Sequence, residues 1–310
     1  MHLAELLARR PVPASAVYLA LTRRCPLHCR HCSTMSGPAL EQAPAELFRR
    51  FVRTFTPADH PDALLLTGGE PLLRPGLVAT LARTARAAGT RSYLLTGAFF
   101  ARTGDTPRAV RAALRSVDHL AVSIDAFHEA EVPRSETFRL LHEALARGQQ
   151  VSVQTCGDGP DDPYLETLVQ QLRAEFADRV PVLVSTVRPV GRGRSLVAPG
   201  APPAGAPRAG GPPAGALPPA APCDLVSWPT VGFDGTIVAC CNQDVLDQSP
   251  PPAHLRLGHL RSTTWPQLRV SCTTSPALRA LRTRGPLQLA HLYPDRSAPD
   301  PDRSAPATDE

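Results

Sequence analysis

The chain has 310 residues, 43% of them hydrophobic, which at this length allows a sizeable core and about two domains. Its net charge of +5 comes from 33 basic residues, every one an arginine, spread singly among only 5% aromatics, a pattern that argues against a nucleic-acid surface. No apolar run reaches the roughly 18 residues a membrane span needs, and the first ten residues lack the features of a secretory signal, so a cytoplasmic location is expected.

After a short N-terminal segment, residues 1–15, short apolar runs alternate with amphipathic stretches as far as residue 194. The runs Ala16–Thr22, Ala63–Thr67, Ser92–Thr96, His119–Ile124, Val151–Thr155 and Pro181–Val187 read as strands. Between them, apolar residues recur at three- and four-residue spacing, as in Leu47, Phe48, Phe51, Val52 and Phe55, and these segments read as helices. Asp162-Pro163 has the form of an N-cap followed by proline in the first turn, and Gly148 that of a helix stop. Six strand–helix units in about 175 residues predict an α/β fold with a parallel sheet, whose chemistry belongs at the carboxyl ends of the strands.

Residues 195–222 are nearly all proline, alanine and glycine and read as a linker. Residues 223–284 form a smaller unit, with an Asp234-Gly235 turn inside a predicted β-hairpin. In the last stretch, residues 285–310, Pro294-Asp295-Arg296-Ser297-Ala298-Pro299 recurs as Pro301-Asp302-Arg303-Ser304-Ala305-Pro306, so this end reads as a disordered tail.

Cys25, Cys29 and Cys32 follow the first strand directly, three of the chain's eight cysteines within eight residues. Soft sulfur ligands at this spacing select an iron–sulfur cluster, zinc or copper(I). A structural zinc site normally closes with four protein ligands, here requiring His28 or His31 as the fourth, whereas a cluster held by three cysteines keeps one iron open to a small molecule. A disulfide framework does not suit a long chain without a secretion signal. After the second strand, Gly68 and Gly69 allow close backbone approach, and Glu70 supplies a carboxylate that can pair with an ammonium group.

The Cys-x3-Cys-x2-Cys loop together with Gly68-Gly69-Glu70-Pro71 resembles the radical S-adenosylmethionine (SAM) enzymes. The residue before the third cysteine is usually aromatic in that family and is His31 here, an imidazole that can pack flat in the same place. The resemblance implies a partial (β/α)6 barrel and a catalytic 4Fe-4S cluster on Cys25, Cys29 and Cys32. It also implies bound SAM, cleaved to a 5′-deoxyadenosyl radical. SAM would be held by Gly68, Gly69 and Glu70, by Ser123 and Asp125 after the fourth strand, and by the Pro189-Val190-Gly191-Arg192-Gly193 loop with Arg192. Ser123 and Asp125 also suit the capping of the next loop.

Cys223 and Cys240, in a Cys-x11-Gly-x4-Cys pattern around the hairpin, resemble the start of the auxiliary-cluster domain called SPASM, or twitch in its short form. That implies a second iron–sulfur cluster, with Cys272 as a further ligand. Cys241, next to Cys240, faces the opposite way in regular β geometry. Cys156, after the fifth strand, and Cys241 are candidates for a catalytic hydrogen donor, as an epimerase would need; Cys156 equally suits simple packing. The implied activity is hydrogen abstraction from a peptide or small metabolite, ending in dehydrogenation or a cross-link. Epimerisation and non-catalytic electron transfer are the alternatives. The implied partners are a reductant such as flavodoxin or ferredoxin and, for a peptide without an N-terminal recognition domain, a separate leader-binding protein. Neither a nucleic acid nor a membrane is expected as a partner.

Overall fold

A computed structural model describes residues 2–159, 161–197 and 219–292. Most of the predicted linker, residues 198–218, and of the predicted tail, residues 293–310, lies outside the described residues. A first helix, α1 (Leu3–Ala8), precedes strand β1 (Ala16–Ala20). There follow α2 (Ala45–Val52), β2 (Ala63–Thr67), α3 (Pro75–Ala87), β3 (Arg91–Thr96), α4 (Arg108–Ser116) and β4 (His119–Ser123). The short α5 (Ala126–Glu129) and α6 (Arg134–Ala146) lead to β5 (Gln150–Gly157), α7 (Pro163–Phe176) and β6 (Val182–Thr186). All six predicted strands form, each within two residues of its expected bounds.

The six strands are parallel, each hydrogen-bonded to the next in sequence, so the βα repeat becomes an open, curved sheet. Alternation along each strand divides the core in two. Val17, Leu19, Leu64, Leu66, Leu94, Leu120, Val122, Val151 and Val153 point outward to the helices, joining Phe48, Phe51, Leu81 and Phe176 in the main core. Leu65, Tyr93 and Ala121 point to the inner face with partly buried Tyr18, Leu95 and Leu183, and Leu3, Leu6 and Trp228 close the end where the strands begin.

The C-terminal unit is less separate than its sequence suggests. Strands β7 (Thr230–Val231) and β8 (Thr236–Val238) form the expected hairpin, with Gly235 at φ +95°. β7, however, pairs in parallel with β1, and β9 (Arg256–His259) pairs with β8, so one nine-stranded sheet runs β6-β5-β4-β3-β2-β1-β7-β8-β9. The expectation of a disordered segment from residue 285 also changes: after α8 (Gln243–Leu246) and α9 (Trp265–Thr274), α10 runs Pro276–Leu292 across a kink at Gly285. Pro286 follows that glycine and restarts the helix, because proline suits a first turn but not a helix interior. Among the described residues no helix is long and apolar enough to cross a membrane.

Candidate functional site

The carboxyl ends of β1 to β6 surround one cavity of about 330 Å³. Its wall includes Cys25, Cys29 and Cys32 after β1, Gly68, Gly69 and Glu70 after β2, and Ser123 and Asp125 at β4. Cys156 near the end of β5 and Arg192 beyond β6 complete the set that the sequence singles out here.

The two glycines let the β2 turn lie against the cysteine loop. Gly69 donates to Thr22 at 2.7 Å and Glu70 N–H to Arg24 at 2.9 Å. A Cβ on Gly69 would sit 2.5 Å from the Arg24 carbonyl and 2.8 Å from the Ser36 hydroxyl, and one on Gly68, at φ +144°, would strike the Thr22 carbonyl. Arg192 clamps the loop from the other side. Its Nε donates to the Cys29 carbonyl at 3.0 Å, its Nη1 to Ser36 O at 2.7 Å, and its backbone N–H to Cys32 O at 2.9 Å. Arg192 thus holds the loop that carries the cysteines.

Glu70 is fully buried, and its oxygens are engaged within the protein. Oε1 accepts from Leu72 N–H at 2.9 Å, Oε2 from Gly97 N–H at 3.0 Å, and the Thr96 hydroxyl lies 2.9 and 3.0 Å from the pair. Burial pushes this carboxyl up to about 7 against the pull of those bonds. Glu70 thereby ties the β2 turn to the end of β3 while lining the cavity.

Asp125 does the capping that its sequence context allows. Its Oδ1 accepts from the N–H groups of Phe127 and His128 at 3.0 and 2.9 Å, opening α5, while Oδ2 lies 2.8 Å from His128 Nδ1 and 3.3 Å from His31 Nε2. Burial would raise this carboxyl, but the two imidazoles outweigh it and hold it well below the usual carboxylate range. Burial alone would lower His128, yet Asp125 and the Cys29 sulfur push it up to about 10. His31 stacks on Phe127 with ring centres 4.6 Å apart, so the flat packing expected of it is made with a neighbouring aromatic.

The donor set fits a cluster and a nucleoside ligand. Burial pushes Cys25 up to about 12; at Cys32 burial acts the same way, but bonds from Thr34 and Ser36 and the charge of Arg192 outweigh it and favour the thiolate a metal needs. Two buried polar atoms of cavity-lining residues, His31 Nδ1 and Thr155 Oγ1, find no hydrogen-bond partner among the described residues and are free for a ligand. Of the two histidines the zinc alternative calls on, His31 turns its Nε2 to Asp125 and His28 is exposed. Among the described residues, the group tight enough for a single ion is His31, Asp125 and His128, within 4.8 Å, and not the cysteines.

Sequence reasoning missed Thr96, Gly97, His128, Gln154, Thr155 and Thr186, all at this wall. The rule that chemistry sits at strand ends could have found most of them, because they end β3, β5 and β6.

Cys223, Cys240 and Cys241 gather outside that cavity, around the end of β8. Cys240 is buried with Val226, Ala239, Leu255 and Leu278, and Cys223 packs against that cluster, its N–H donating to Leu281 O on α10 at 3.1 Å. Burial pushes Cys240 up to about 11, helped by the nearby charges of Cys241 and Cys223. Cys241 turns away to accept a bond from Arg10 Nη2 at 3.0 Å. Cys272 does not join them. It shares one face of α9 with Trp265 and Leu268 and lies fully buried in the main core, an environment that suits packing.

The Radical SAM superfamily model matches residues 19–149, from within β1 to the start of β5. Pre-heme d1 synthase of Dinoroseobacter shibae is 40% identical over 120 residues, 37% of this chain and 28% of that protein. PqqA peptide cyclase of Gluconobacter oxydans is 29% identical over 194 residues, 61% of this chain and 50% of that one. The chain thus spans between about a quarter and a half of these curated relatives. Among solved structures, SuiB of Streptococcus suis bound to precursor peptide SuiA superposes with a TM-score of 0.58 at 11% identity, covering 90% of this chain and 69% of SuiB. Native anSMEcpe with bound AdoMet and a peptide gives 0.53 at 11% identity, covering 87% of each chain. Residues 19–149 of this chain are thus similar to the Radical SAM superfamily, and the parallel α/β fold is that of the partial barrels in these solved structures.

Proposed function

We propose that the protein is a radical SAM enzyme that reductively cleaves SAM and abstracts hydrogen from an unactivated carbon of a peptide or small metabolite, ending in dehydrogenation or a cross-link. The observation that carries this reading is the convergence of Cys25, Cys29, Cys32, Gly68 and Gly69 on one cavity at the strand ends. When bound, the 4Fe-4S cluster and SAM supply a 5′-deoxyadenosyl radical. The three cysteines hold the cluster. The Gly68-Gly69 backbone, Ser123, His31 Nδ1 and Thr155 Oγ1 meet SAM, while Glu70, Asp125 and Arg192 keep the surrounding loops in place. Cys223 and Cys240, with Cys241 beside them, are offered as the anchor of one auxiliary cluster that accepts the second electron.

The names of the relatives support a substrate that is a peptide or a cofactor precursor, since PqqA peptide cyclase and SuiB with SuiA concern peptides and pre-heme d1 synthase a cofactor. A flavodoxin or ferredoxin is proposed as reductant, and for a peptide substrate a leader-binding partner. Epimerisation has one observation in its favour: Cys156 lines the cavity, and burial pushes its thiol up to about 11, keeping the S–H bond intact at neutral pH. The test is anaerobic reconstitution with iron and sulfide, followed by SAM and a strong reductant. We expect 5′-deoxyadenosine; its absence, with candidate substrates present, would overturn the reading in favour of electron transfer alone.

A further inference from the structure

Beneath the cofactor cavity lies a second chamber of about 300 Å³, inside the barrel and closed by α1. Thr67, Leu95 and Gln154 line both spaces, so the two adjoin. The chamber walls are otherwise apolar, formed by inner-face side chains such as Leu65, Tyr93 and Leu183. Leu183 lies on β6, a free edge of the sheet.

One charged side chain lines this space. Arg10 stacks over Trp228, with its guanidinium carbon 4.5 Å from the ring centre, and two contacts occupy it: Cys241 Sγ at 3.0 Å and Tyr18 Oη at 3.4 Å. A guanidinium offers five N–H donors, and no carboxylate among the described residues lies in salt-bridge contact with this one. Cys241, Tyr18 and the Trp228 ring return part of the solvation this cation loses, without the full counter-charge of a carboxylate. An anion entering the chamber would supply that counter-charge, and the fork geometry suits a carboxylate.

We propose that this chamber is the substrate-selecting subsite, taking an apolar arm of the substrate that ends in a carboxylate paired with Arg10. The inference rests on the enzyme reading above and adds to it the chemistry of the substrate. Leu65, Tyr93, Leu95 and Leu183 cover the arm, Arg10 fixes its end, and the reacting carbon is thereby held on the cofactor side of Gln154. Cationic arms are excluded. The same chemistry occurs in an aryl or alkyl carboxylate metabolite and in the C-terminus of a peptide with an apolar last residue.

The experiment is calorimetric titration of the full-length reconstituted protein with 3-phenylpropionate, its amide and 3-phenylpropylamine. A second pair, N-acetyl-Gly-Gly-Phe with free and amidated C-terminus, separates a peptide source from a metabolite source. We expect at least one carboxylate to bind tenfold or more tightly than its amide, with no binding of the amine. Arg10→Gln should erase the preference, Arg10→Lys should retain part of it, and Leu183→Trp should fill the chamber and abolish binding of all probes. Equal affinity of carboxylate and amide, or a preference that survives Arg10→Gln, overturns the proposal. So does loss of auxiliary iron in Arg10→Gln with carboxylate binding unchanged, since Arg10 would then serve the cysteines. SAM affinity, titrated separately, reports on the enzyme reading: its absence alongside an intact carboxylate preference would sink that reading and leave the chamber.

Discussion

The hydroxyl of Thr96, at the end of β3, stands 2.9 and 3.0 Å from the two carboxylate oxygens of Glu70, at the end of β2. This one contact joins adjacent strand ends beneath the Gly68-Gly69 turn. Glu70→Gln should therefore act through the turn. An amide must present an NH₂ to either the Leu72 or the Gly97 N–H, leaving a buried donor unpaired at a cost of about 1–3 kcal/mol. We expect a lower melting temperature and weaker SAM binding together. A variant with unchanged stability and weakened SAM binding would return Glu70 to direct contact with the ligand.

Gly69→Ala tests the packing of the turn against the cysteine loop. The added methyl meets three oxygens of that loop, those of the Arg23 and Arg24 carbonyls and the Ser36 hydroxyl, at 2.5 to 2.8 Å. The loop must move, and with it Cys25. The expected result is a folded protein, by circular dichroism, that takes up less iron at the first site; full iron loading would show that the loop adapts freely.

Asp118 gives a dependence on pH. Burial would raise its carboxyl, but the N–H and hydroxyl of Ser92, at 2.8 and 2.7 Å, and the Arg86 guanidinium, at 2.7 and 3.0 Å, outweigh that and lower it. A carboxyl lowered on folding adds stability above its ordinary range and loses it as pH falls through the folded value. Asp118→Asn should cost about 1–2 kcal/mol at pH 7, a figure discounted for the side chain's partial exposure. The gap between wild type and variant should close on acidification below the ordinary carboxylate range, measured by urea unfolding. A gap that is constant with pH would assign the loss to packing.

The two distal cysteines make opposite predictions. Cys240→Ala removes a ligand of the proposed auxiliary cluster and should lower total iron while the first cluster still cleaves SAM. Cys272→Ala, in the core beside Trp265 and Leu268, should leave iron unchanged and cost about 1 kcal/mol of stability. Iron loss in the Cys272 variant would restore it as a ligand.

What was legible in the sequence follows from range. The βα repeat and the motifs after β1 and β2 are local: Val17, Leu19 and Leu21 alternate with inward residues, and three cysteines share one loop. Contacts across the fold left weaker marks. Nothing near Thr230 announces pairing with Tyr18, because a two-residue strand has too few side chains to show whether both its edges are bonded. Glu70 reads as a carboxylate available to an ammonium group, and its bonds to the distant Thr96-Gly97 leave no mark beside the two glycines. The place of Cys272 has a local sign: its helix face is apolar at Trp265, Leu268 and Cys272, a periodicity that suits packing.

Cys156 and Cys241 are the thiols whose replacement tests how a substrate radical ends. Cys156 lines the cofactor cavity with a thiol that stays protonated at neutral pH, whereas Cys241 does not line that cavity and has its sulfur bonded by Arg10 of the adjoining chamber. Of the two, only Cys156 is placed to pass a hydrogen atom to a carbon held in the cavity. Cys156→Ala and Cys241→Ala should be run in deuterium oxide against the substrate, with SAM cleavage followed in parallel. The proposed dehydrogenation or cross-link gives a product two hydrogens lighter, carrying no solvent deuterium, with turnover surviving Cys156→Ala. An epimerase instead gives a product of unchanged composition that takes up one deuterium, and Cys156→Ala would stop turnover while 5′-deoxyadenosine still formed. Loss of turnover in Cys241→Ala but not in Cys156→Ala would contradict the placement of both thiols, since the donor would then sit outside the cavity where the radical forms.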